Sequence, residues 1–405
     1  MKHRKFRLMA SLAIGVSVVA APAFLPVAGT MVRAAADAPS VDAKVQATID
    51  RALAFLKSQQ QPDGSWQKNN QPPALTAIPL KAFAQDPKIG PNADFVKKGY
   101  EKLITFQQPN GSIAQDLLNN YNTAISVSSL VAAKNPAYKE AIDKAVGYLK
   151  GIQWTDKATG PKGEKVKDDT NVWWGGWGYG GGGRPDMSNA QVAMEALQNA
   201  GLTKDDPAFK EAIKFISRTQ NNSETNDQKF ARGADDGGFV YSPANDGESP
   251  AGIFVGPDGK RVVRSYGSMS YAGLKSMIYA GLTKEDSRVK AAWKWISNTY
   301  TVEVNPGFLT NDPKGGNMSR FGVYYYYQTM ARALNVYDEP LITDAKGVKH
   351  DWRVELADKI ASLQNPDGSW TGEKKWMEDN SILATSFATL ALQEIQQDLK
   401  EHPAK

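Results

Sequence analysis

The heptapeptide Gln364-Asn-Pro-Asp-Gly-Ser-Trp370 decides the fold, because the chain repeats it. Near the other end it returns as Gln60-Gln-Pro-Asp-Gly-Ser-Trp66, and a weaker copy reads Gln107-Gln-Pro-Asn-Gly-Ser-Ile113. Each copy follows an amphipathic run, and its Pro-Asp-Gly or Pro-Asn-Gly step is typical of a tight turn. The sequence therefore predicts a repeated unit of helix, turn and apolar plug.

Alignment on the glutamine extends the repeat to six copies. A Leu or Ile stands four residues before each aligned position, on an apolar stripe of helical spacing. The aligned positions are Gln60, Gln107, Gln153, Gln220, Tyr300 and Gln364. A second helical pattern, rich in small residues, follows each turn, at 75–85, 121–133, 188–201, 268–281, 321–336 and 381–393. We therefore expect an all-α protein of six helical hairpins.

Six hairpins that bury their apolar faces on their neighbours either run on as an open solenoid or close into a ring. No polar capping repeat stands at either end, which favours closure into an α6/α6 toroid with inner and outer rings of helices. The long connections then lie on one face. The two largest insertions, at about 155–184 and 221–264, mark that face as the place to expect function.

The N-terminus has the pattern of an export signal. Basic residues precede an apolar run from about Leu8 to Gly29, and Ala34-Ala-Ala36 offers a cleavage site. We expect a signal peptide over 1–36, one toroid domain over 37–400 and a tail over 401–405. The expected location is secreted, periplasmic or in the cell envelope. Left uncut, the apolar run is long enough to anchor the protein in a membrane.

The charge composition argues against one class of partner, the nucleic acids. The net charge is +5 over 405 residues, and Lys and Arg are scattered among Asp and Glu. A nucleic-acid footprint would need clustered basic residues, so no nucleic acid is expected. The chain has no cysteine, so packing rather than disulfides must stabilise it. The expected partner is a small molecule, a glycan or a lipid.

The amphipathic run that ends in Gln, together with the Gly-x-Trp that follows it, resembles the Gln-Trp repeat of squalene and oxidosqualene cyclases. Protein prenyltransferases share the same toroid repeat. The stretches 55–66 and 359–370 carry the resemblance best, and it covers about 41–396. It implies the α/α toroid, which hosts unrelated chemistries. The glutamine is expected to bond the glycine turn, and Trp66 and Trp370 are interpreted as structural clamps.

The catalytic sets of that family are incomplete in this sequence. Class II terpene cyclases use an Asp-x-Asp-Asp-Thr acid motif, and the nearest match, Asp168-Asp169-Thr170, lacks its first acid. The zinc site of prenyltransferases needs a cysteine, and the chain has none. Ser-His-Asp catalysis would have to use His350, which lies in a polar loop. We therefore predict no metal and no cofactor.

Acids and aromatic residues near the insertions remain as candidates for a site. The predicted catalytic carboxylates are Asp168, Asp169, Asp235, Asp236 and Asp379. The predicted ligand-binding residues are Trp173, Trp174, Trp177, Tyr179, Asp186, Tyr266, Tyr271, Arg320, Tyr324 and Tyr327. Helix capping is the competing interpretation for Asp186 and Asp379. A tight turn is the competing interpretation for Asp235 and Asp236.

Three functions fit these residues. The first is an exported protein that binds a glycan, lipid or peptide of the cell envelope at the toroid mouth. The second is a polysaccharide-active lyase or hydrolase, which needs two carboxyl groups facing one cleft. The third is a terpene-cyclase-like enzyme with Asp169 or Asp379 as its acid. A dry aromatic cavity with one buried acid favours the third.

Overall fold

In the part of the chain that the structure describes, twelve long helices alternate between two concentric rings. The computed structural model describes residues 40–66, 72–115, 117–158, 165–180, 183–310 and 317–403, so the predicted signal peptide lies outside the described residues. The outer helices are α1 (Val41–Ser58), α3 (Asp94–Ile104), α5 (Lys139–Gly151), α7 (Pro207–Thr219), α10 (Ser287–Thr299) and α12 (Trp352–Ser362). The inner helices are α2 (Ala74–Gln85), α4 (Asn119–Ala132), α6 (Met187–Asn199), α9 (Gly267–Tyr279), α11 (Val323–Tyr337) and α13 (Ser381–Glu401).

The inner ring is closed. Each inner helix packs against the next one, and α13 packs against both α11 and α2. In the outer ring, the first helix α1 packs against the last, α12. The predicted α6/α6 toroid is therefore confirmed, and the open solenoid is not formed.

The apolar stripe of the outer helices forms the core between the rings. The six predicted positions, four residues before each aligned glutamine or tyrosine, are at most 1% exposed. They are Leu56, Leu103, Leu149, Ile216, Ile296 and Ile360. Burial of such side chains is the main favourable term for helices of this length, because short helices are marginal alone.

The repeated glutamine joins each turn to the neighbouring repeat. Its side-chain Nε2 donates one hydrogen bond to the carbonyl of its own turn glycine and a second to a carbonyl of the next outer helix. These two acceptors are Gly64 and Phe95 for Gln60, Gly111 and Ala141 for Gln107, Gly175 and Ala208 for Gln153, Gly237 and Arg288 for Gln220, and Gly368 and Thr48 for Gln364. The last of these pairs closes the outer ring, since Thr48 lies in α1.

The tryptophans of the repeat are buried clamps, as the sequence predicts for Trp66 and Trp370. Trp66, Trp177 and Trp370 are 0% exposed. Their indole N–H groups donate to the carbonyls of Leu56, Leu149 and Ile360 at 2.6, 2.8 and 2.9 Å. Each acceptor lies in the last turn of an outer helix, so the indole ties the stretch after the helix to the end of that helix.

The turn glycine is required by a close approach of two backbones. Gly368 has φ of +89°, and a Cβ atom there would lie 2.4 Å from the carbonyl oxygen of Arg51 in α1. Only a glycine allows the turn to sit this close to the neighbouring helix. Asp367 accepts hydrogen bonds from the backbone and hydroxyl of Ser369, which confirms it as a turn residue.

The sequence did not predict two short hairpins, one in the second insertion and one between α11 and α12. Strand β1 (Ile253–Val255) pairs antiparallel with β2 (Arg261–Val263), after the single-turn helix α8 (Ala231–Ala234). Strand β3 (Leu341–Thr343) pairs antiparallel with β4 (Lys349–Asp351) just before α12. In the repeat whose outer helix is α10, Tyr300 takes the place of the glutamine. Its ring packs on the ring of His350 in β4, and the two ring centroids are 4.8 Å apart. Among the described helices, none is both long enough and apolar enough to span a membrane.

We predict that Gln153→Met lowers the free energy of unfolding by about 2–4 kcal/mol. Methionine keeps the shape but leaves the carbonyls of Gly175 and Ala208 without their donor, and an unsatisfied buried acceptor costs about 1–3 kcal/mol. Urea denaturation followed by circular dichroism measures the loss. The matched control is Gln198→Met on an exposed face of α6, which should change stability by less than about 0.5 kcal/mol. Equal losses in the two variants would contradict the role of the glutamine.

Candidate functional site

One end of the toroid lumen opens as a cavity of about 750 Å³. It lies where the inner helices begin, and both insertions contribute to its wall. Most of the wall is apolar or aromatic, and it includes Leu75, Ile78, Tyr121, Tyr179, Tyr241, Ile253, Tyr266, Met269, Tyr325, Trp376, Leu383 and Phe387. This size and this lining are typical of sites for small organic ligands.

Hydrogen bonds between hydroxyl groups fix several aromatic rings of the wall. The Tyr325 hydroxyl lies 3.1 Å from the Ser188 hydroxyl and accepts a bond of 2.9 Å from Gln191 Nε2. The hydroxyl groups of Tyr179 and Tyr241, one from each insertion, lie 3.0 Å apart. The tyrosines therefore present rings to the cavity while their polar tips are paired.

Glu378 is a fully buried acid in this wall. Its Oε1 accepts a 2.8 Å hydrogen bond from the backbone N–H of Tyr325, in the first turn of α11. Its Oε2 has no hydrogen-bond partner among the described residues. Burial raises the pKa of Glu378 to about 8, against the lowering effect of the α11 backbone N–H groups and of Arg320. The group is therefore a neutral carboxylic acid at pH 7.

A strained turn places Glu378 in the cavity. Trp376 and Met377 have φ of +59° and +65°. Non-glycine residues rarely adopt this left-handed region, and each such residue costs on the order of 1–3 kcal/mol unless its surroundings hold it. The carbonyl of Glu378 accepts a bond from Gly372 N, which closes the loop around the acid. The turn directs Glu378 inward while its neighbour Asp379 stays exposed.

Asp186 is a second buried acid beside the cavity. It caps α6, because its two carboxylate oxygens accept bonds of 2.8 Å from the backbone and side-chain nitrogens of Asn189. The capping interpretation is therefore confirmed. Burial raises the pKa of Asp186 to about 6, although these bonds oppose the shift. Its charge also contributes to the raised pKa values of Tyr179 and Tyr241.

The five predicted catalytic carboxylates are exposed and lie outside the cavity wall. Asp168, Asp169, Asp235, Asp236 and Asp379 share this placement. Local partners hold them: the Asp168 carboxylate accepts from Thr170, Asp169 lies 3.7 Å from Lys214, and Asp235 accepts from Ser223. Asp236 accepts from Gly238 N in a tight turn. The N-cap of α13 is Asn380 rather than Asp379.

The predicted ligand-binding residues divide between the cavity and the surrounding packing. Tyr179 and Tyr266 line the cavity, and Asp186 lies beside it. The others are away from its wall: Trp173 and Trp174 pack on the small cluster around Trp154, Trp177 is a clamp, Tyr271 packs on Tyr326, and Arg320 precedes α11.

Of the four consecutive tyrosines in α11, the one that lines the cavity is not one of the two that were predicted. Tyr324 and Tyr327 were the predicted pair, but both are buried away from the cavity wall. The Tyr327 hydroxyl donates to the carbonyl of Val302 at 2.7 Å. Tyr325 is the member that lines the cavity. The sequence alternation could not choose between the two faces, because both are aromatic.

Residues that the sequence reasoning missed form much of the wall. They are Tyr121, Tyr325, Trp376, Glu378 and Phe387. Their common signal is position within the first turns of inner helices or just before one. In the described ranges, no three His, Cys, Asp or Glu side chains lie close enough together to hold a metal ion.

These features define a squalene-cyclase-like α/α toroid. No protein-family model matches the chain. The curated squalene–hopene cyclase of Bradyrhizobium diazoefficiens is 24% identical over 388 residues, which cover 88% of this chain and 51% of the cyclase. The chain thus spans about half the length of that relative.

Two kinds of solved structure share the fold. A type II terpene cyclase from Scytonema, in complex with its substrate geranylgeranyl dihydroxybenzoate, matches with a TM-score of 0.52 at 15% identity, over 89% of this chain and 99% of the cyclase. The unsaturated glucuronyl hydrolase of Bacillus sp. GL1 matches with a TM-score of 0.52 at 13% identity, over 89% of this chain and 97% of the hydrolase. At these identities the likeness establishes the fold.

We predict that Glu378 makes the protein less stable as the pH rises from about 5 to 8. A carboxyl group with a raised pKa binds its proton more tightly in the folded state, so stability falls between its ordinary pKa of 4.5 and about 8. The slope for one proton is at most about 1.4 kcal/mol per pH unit. Urea denaturation at several pH values should show that Glu378→Gln removes this part of the slope.

The matched control is Asp379→Asn, which changes the exposed neighbouring acid. It should keep the pH dependence of the wild type. If Glu378→Gln and the wild type keep a constant stability difference over this pH range, the acid is ionised throughout and its assignment as neutral is wrong.

Proposed function

We propose that the protein binds an isoprenoid-type lipid in the aromatic cavity at the toroid mouth. The observation that carries this proposal is the cavity wall, which presents apolar and aromatic surface and few unpaired polar groups. Burial of an apolar chain against such a wall is favourable in proportion to the area removed from water. A sugar carries many hydroxyl groups that need hydrogen-bond partners, and polar side chains are the minority in this wall.

The edge of the cavity supports an apolar ligand. Tyr179, Ile253, Trp376 and Met377 all line the cavity and are between 42% and 47% exposed. Large apolar side chains that remain accessible around an opening often mark a binding surface. An apolar ligand therefore meets apolar side chains before it enters the cavity.

The cavity geometry weakens the alternative of a polysaccharide lyase or hydrolase and supports the alternative of a terpene-cyclase-like enzyme. The lyase or hydrolase alternative relied on Asp168, Asp169, Asp235 and Asp236, which lie outside the cavity. The similar Scytonema cyclase binds an isoprenoid substrate, whereas the similar Bacillus hydrolase acts on a glycan. The fold admits either ligand, and the aromatic wall favours the isoprenoid. Export to the cell envelope remains part of the proposal on the N-terminal pattern alone.

A second candidate function is acid-initiated cyclisation of the bound chain. The specific observation is Glu378, a buried residue of the cavity wall whose pKa is raised to about 8 by burial and whose Oε2 has no hydrogen-bond partner among the described residues. Its O–H would transfer a proton to a carbon–carbon double bond, and the positive charge would form on the more substituted carbon. A second double bond of the chain would supply the electron pair that closes a ring. Water would take a proton from the cyclised cation, which ends the reaction, and the hydronium ion so formed would return a proton to the Glu378 carboxylate.

Aromatic rings would stabilise the intermediate cation. Tyr121, Tyr266, Tyr325 and Phe387 line the same cavity as Glu378. An aromatic ring attracts a cation that lies over its face, and the attraction is stronger where water is excluded. The role that the sequence reasoning gave to Asp169 or Asp379 thus passes to Glu378.

We predict that geranylgeraniol binds to the full-length protein and that Trp376→Ala weakens the binding about tenfold. Trp376 lies at the cavity edge and is 43% exposed, so its removal takes contact area from the ligand at little cost to the core. Isothermal titration calorimetry measures both dissociation constants. Cellotetraose serves as the glycan probe and should give no saturable heat.

The matched control is Trp173→Ala, since Trp173 packs outside the cavity. This variant should bind geranylgeraniol as the wild type does. Binding of cellotetraose but not geranylgeraniol would overturn the proposal. Weaker binding in Trp173→Ala than in Trp376→Ala would place the site on the insertion instead.

We predict that Glu378→Gln still binds geranylgeraniol but loses at least about a thousandfold of any cyclising activity. The amide keeps the shape of the acid and cannot transfer the proton, and proton transfer by a positioned group typically contributes about 10²–10⁴-fold. Gas chromatography with mass spectrometry would detect cyclic isomers of the same mass as the substrate. Asp379→Asn should keep the activity. Activity retained in Glu378→Gln would eliminate the acid role and leave the binding proposal intact.

A further inference from the structure

A second cavity opens at the other end of the lumen. It measures about 440 Å³ and lies at the C-terminal halves of the inner helices. Its wall is mainly charged and amide side chains, in contrast to the aromatic cavity. A constriction with a void of only about 30 Å³ lies between them, and Lys81 and Glu195 contribute to it. The two cavities are therefore separate sites of different chemistry.

A cluster of buried charges forms the base of this second cavity. Lys81 and Lys275 both pair with Glu195, the first at 3.3 Å, and Arg332 pairs with Glu394 at 3.2 Å. These five side chains are at most 17% exposed. The cluster thus holds three cations and two carboxylates.

The protonation of the cluster supports this charge count. Burial acts to raise the pKa of Glu195, but Lys275, Lys81 and Arg332 hold it well below its usual range. Burial lowers the pKa of Lys275, and the Glu195 carboxylate opposes that shift. Lys275 Nζ donates to Gln191 Oε1 at 2.6 Å as well as to Glu195, as an ammonium group does. Each cation has a carboxylate partner, but the cluster carries one more positive charge than negative charges.

We propose that this second cavity binds an oxyanion, as a carboxylate or phosphate group, between Lys81 and Arg332. A buried excess of positive charge is costly, and an anion in the adjoining cavity would reduce that cost. Arg332 also suits the task, because a guanidinium group pairs with planar carboxylates and with phosphates through two parallel bonds.

The ends of the inner helices do not neutralise this charge. The partial negative charge at a helix C-terminus acts within the last turn of the helix. Lys134, just beyond α4, and Lys400, near the end of α13, lie where this charge acts. Lys81 and Arg332 lie about a turn or more from the ends of α2 and α11. Both of them line the cavity itself.

Calorimetric titration of the full-length protein at constant ionic strength tests the proposal with orthophosphate, succinate and octyl phosphate. We expect saturable binding of at least one probe. Lys81→Gln brings the cluster to neutrality and should weaken that binding at least tenfold. Glu394→Gln adds one unit of positive charge and should tighten it at least threefold. Octyl phosphate binding more tightly than orthophosphate would identify a lipid headgroup as the ligand, and equal affinities would identify the free anion.

The control is Lys102→Gln, which removes a surface cation that pairs with Asp63 at 3.1 Å and should leave the affinity unchanged. Variants that merely damage the fold cannot tighten binding, so the opposite signs separate the proposal from loss of structure. Tungstate soaked into crystals of the wild type should appear between Lys81 and Arg332. No saturable heat with any probe, weaker binding in Glu394→Gln, or tungstate elsewhere only would overturn the proposal.

Discussion

The glutamine side-chain amide that follows five of the six described outer helices is the interaction on which the rest of the toroid depends. An amide nitrogen carries two hydrogens, so one glutamine can satisfy two carbonyls. One carbonyl belongs to its own turn and the other to the next outer helix, so the same residue shapes a repeat and fixes the position of its neighbour. At Gln364 the second acceptor is Thr48, 316 residues earlier in the chain. The short motif around Gln364 therefore joins the two ends of the domain and closes the outer ring.

Closure of the ring explains why the two buried acids Asp186 and Glu378 lie at the same mouth of the toroid. Six inner helices begin there, and each leaves backbone N–H groups that need acceptors. Asp186 and Glu378 supply such acceptors for α6 and α11. The apolar side chains that fill the mouth remove water from these carboxyl groups and raise their pKa values. A residue that accepts a hydrogen bond from a helix N-terminus thereby becomes a mainly protonated acid in the wall of an aromatic cavity, and its Oε2 has no hydrogen-bond partner among the described residues. The opposite mouth lacks this aromatic lining and holds an ionised cluster instead.

The sequence was sufficient for the fold and insufficient for the site, for a physical reason. Repeat length, the apolar stripe and the Gln-to-Gly spacing are local, and each recurs often enough to be recognised. The site depends on where single side chains point. Glu378 and Asp379 are adjacent acids, and only the left-handed turn at Trp376 and Met377 decides which is buried. Likewise, the choice of Tyr325 over Tyr324 depends on the rotation of α11 against its neighbours. The hairpins β1–β2 and β3–β4 were missed because each strand has only three residues.

The proposed function requires an apolar chain in the aromatic cavity, next to a neutral Glu378. A crystal structure of the Glu378→Gln variant with geranylgeraniol bound tests it most directly. We expect density for the chain between Phe387 and Tyr266, with its oxygen or a double bond next to the side chain at position 378. Density for the ligand on the outer insertion, near Trp173 and Trp174, with the cavity free of ligand, would contradict the account.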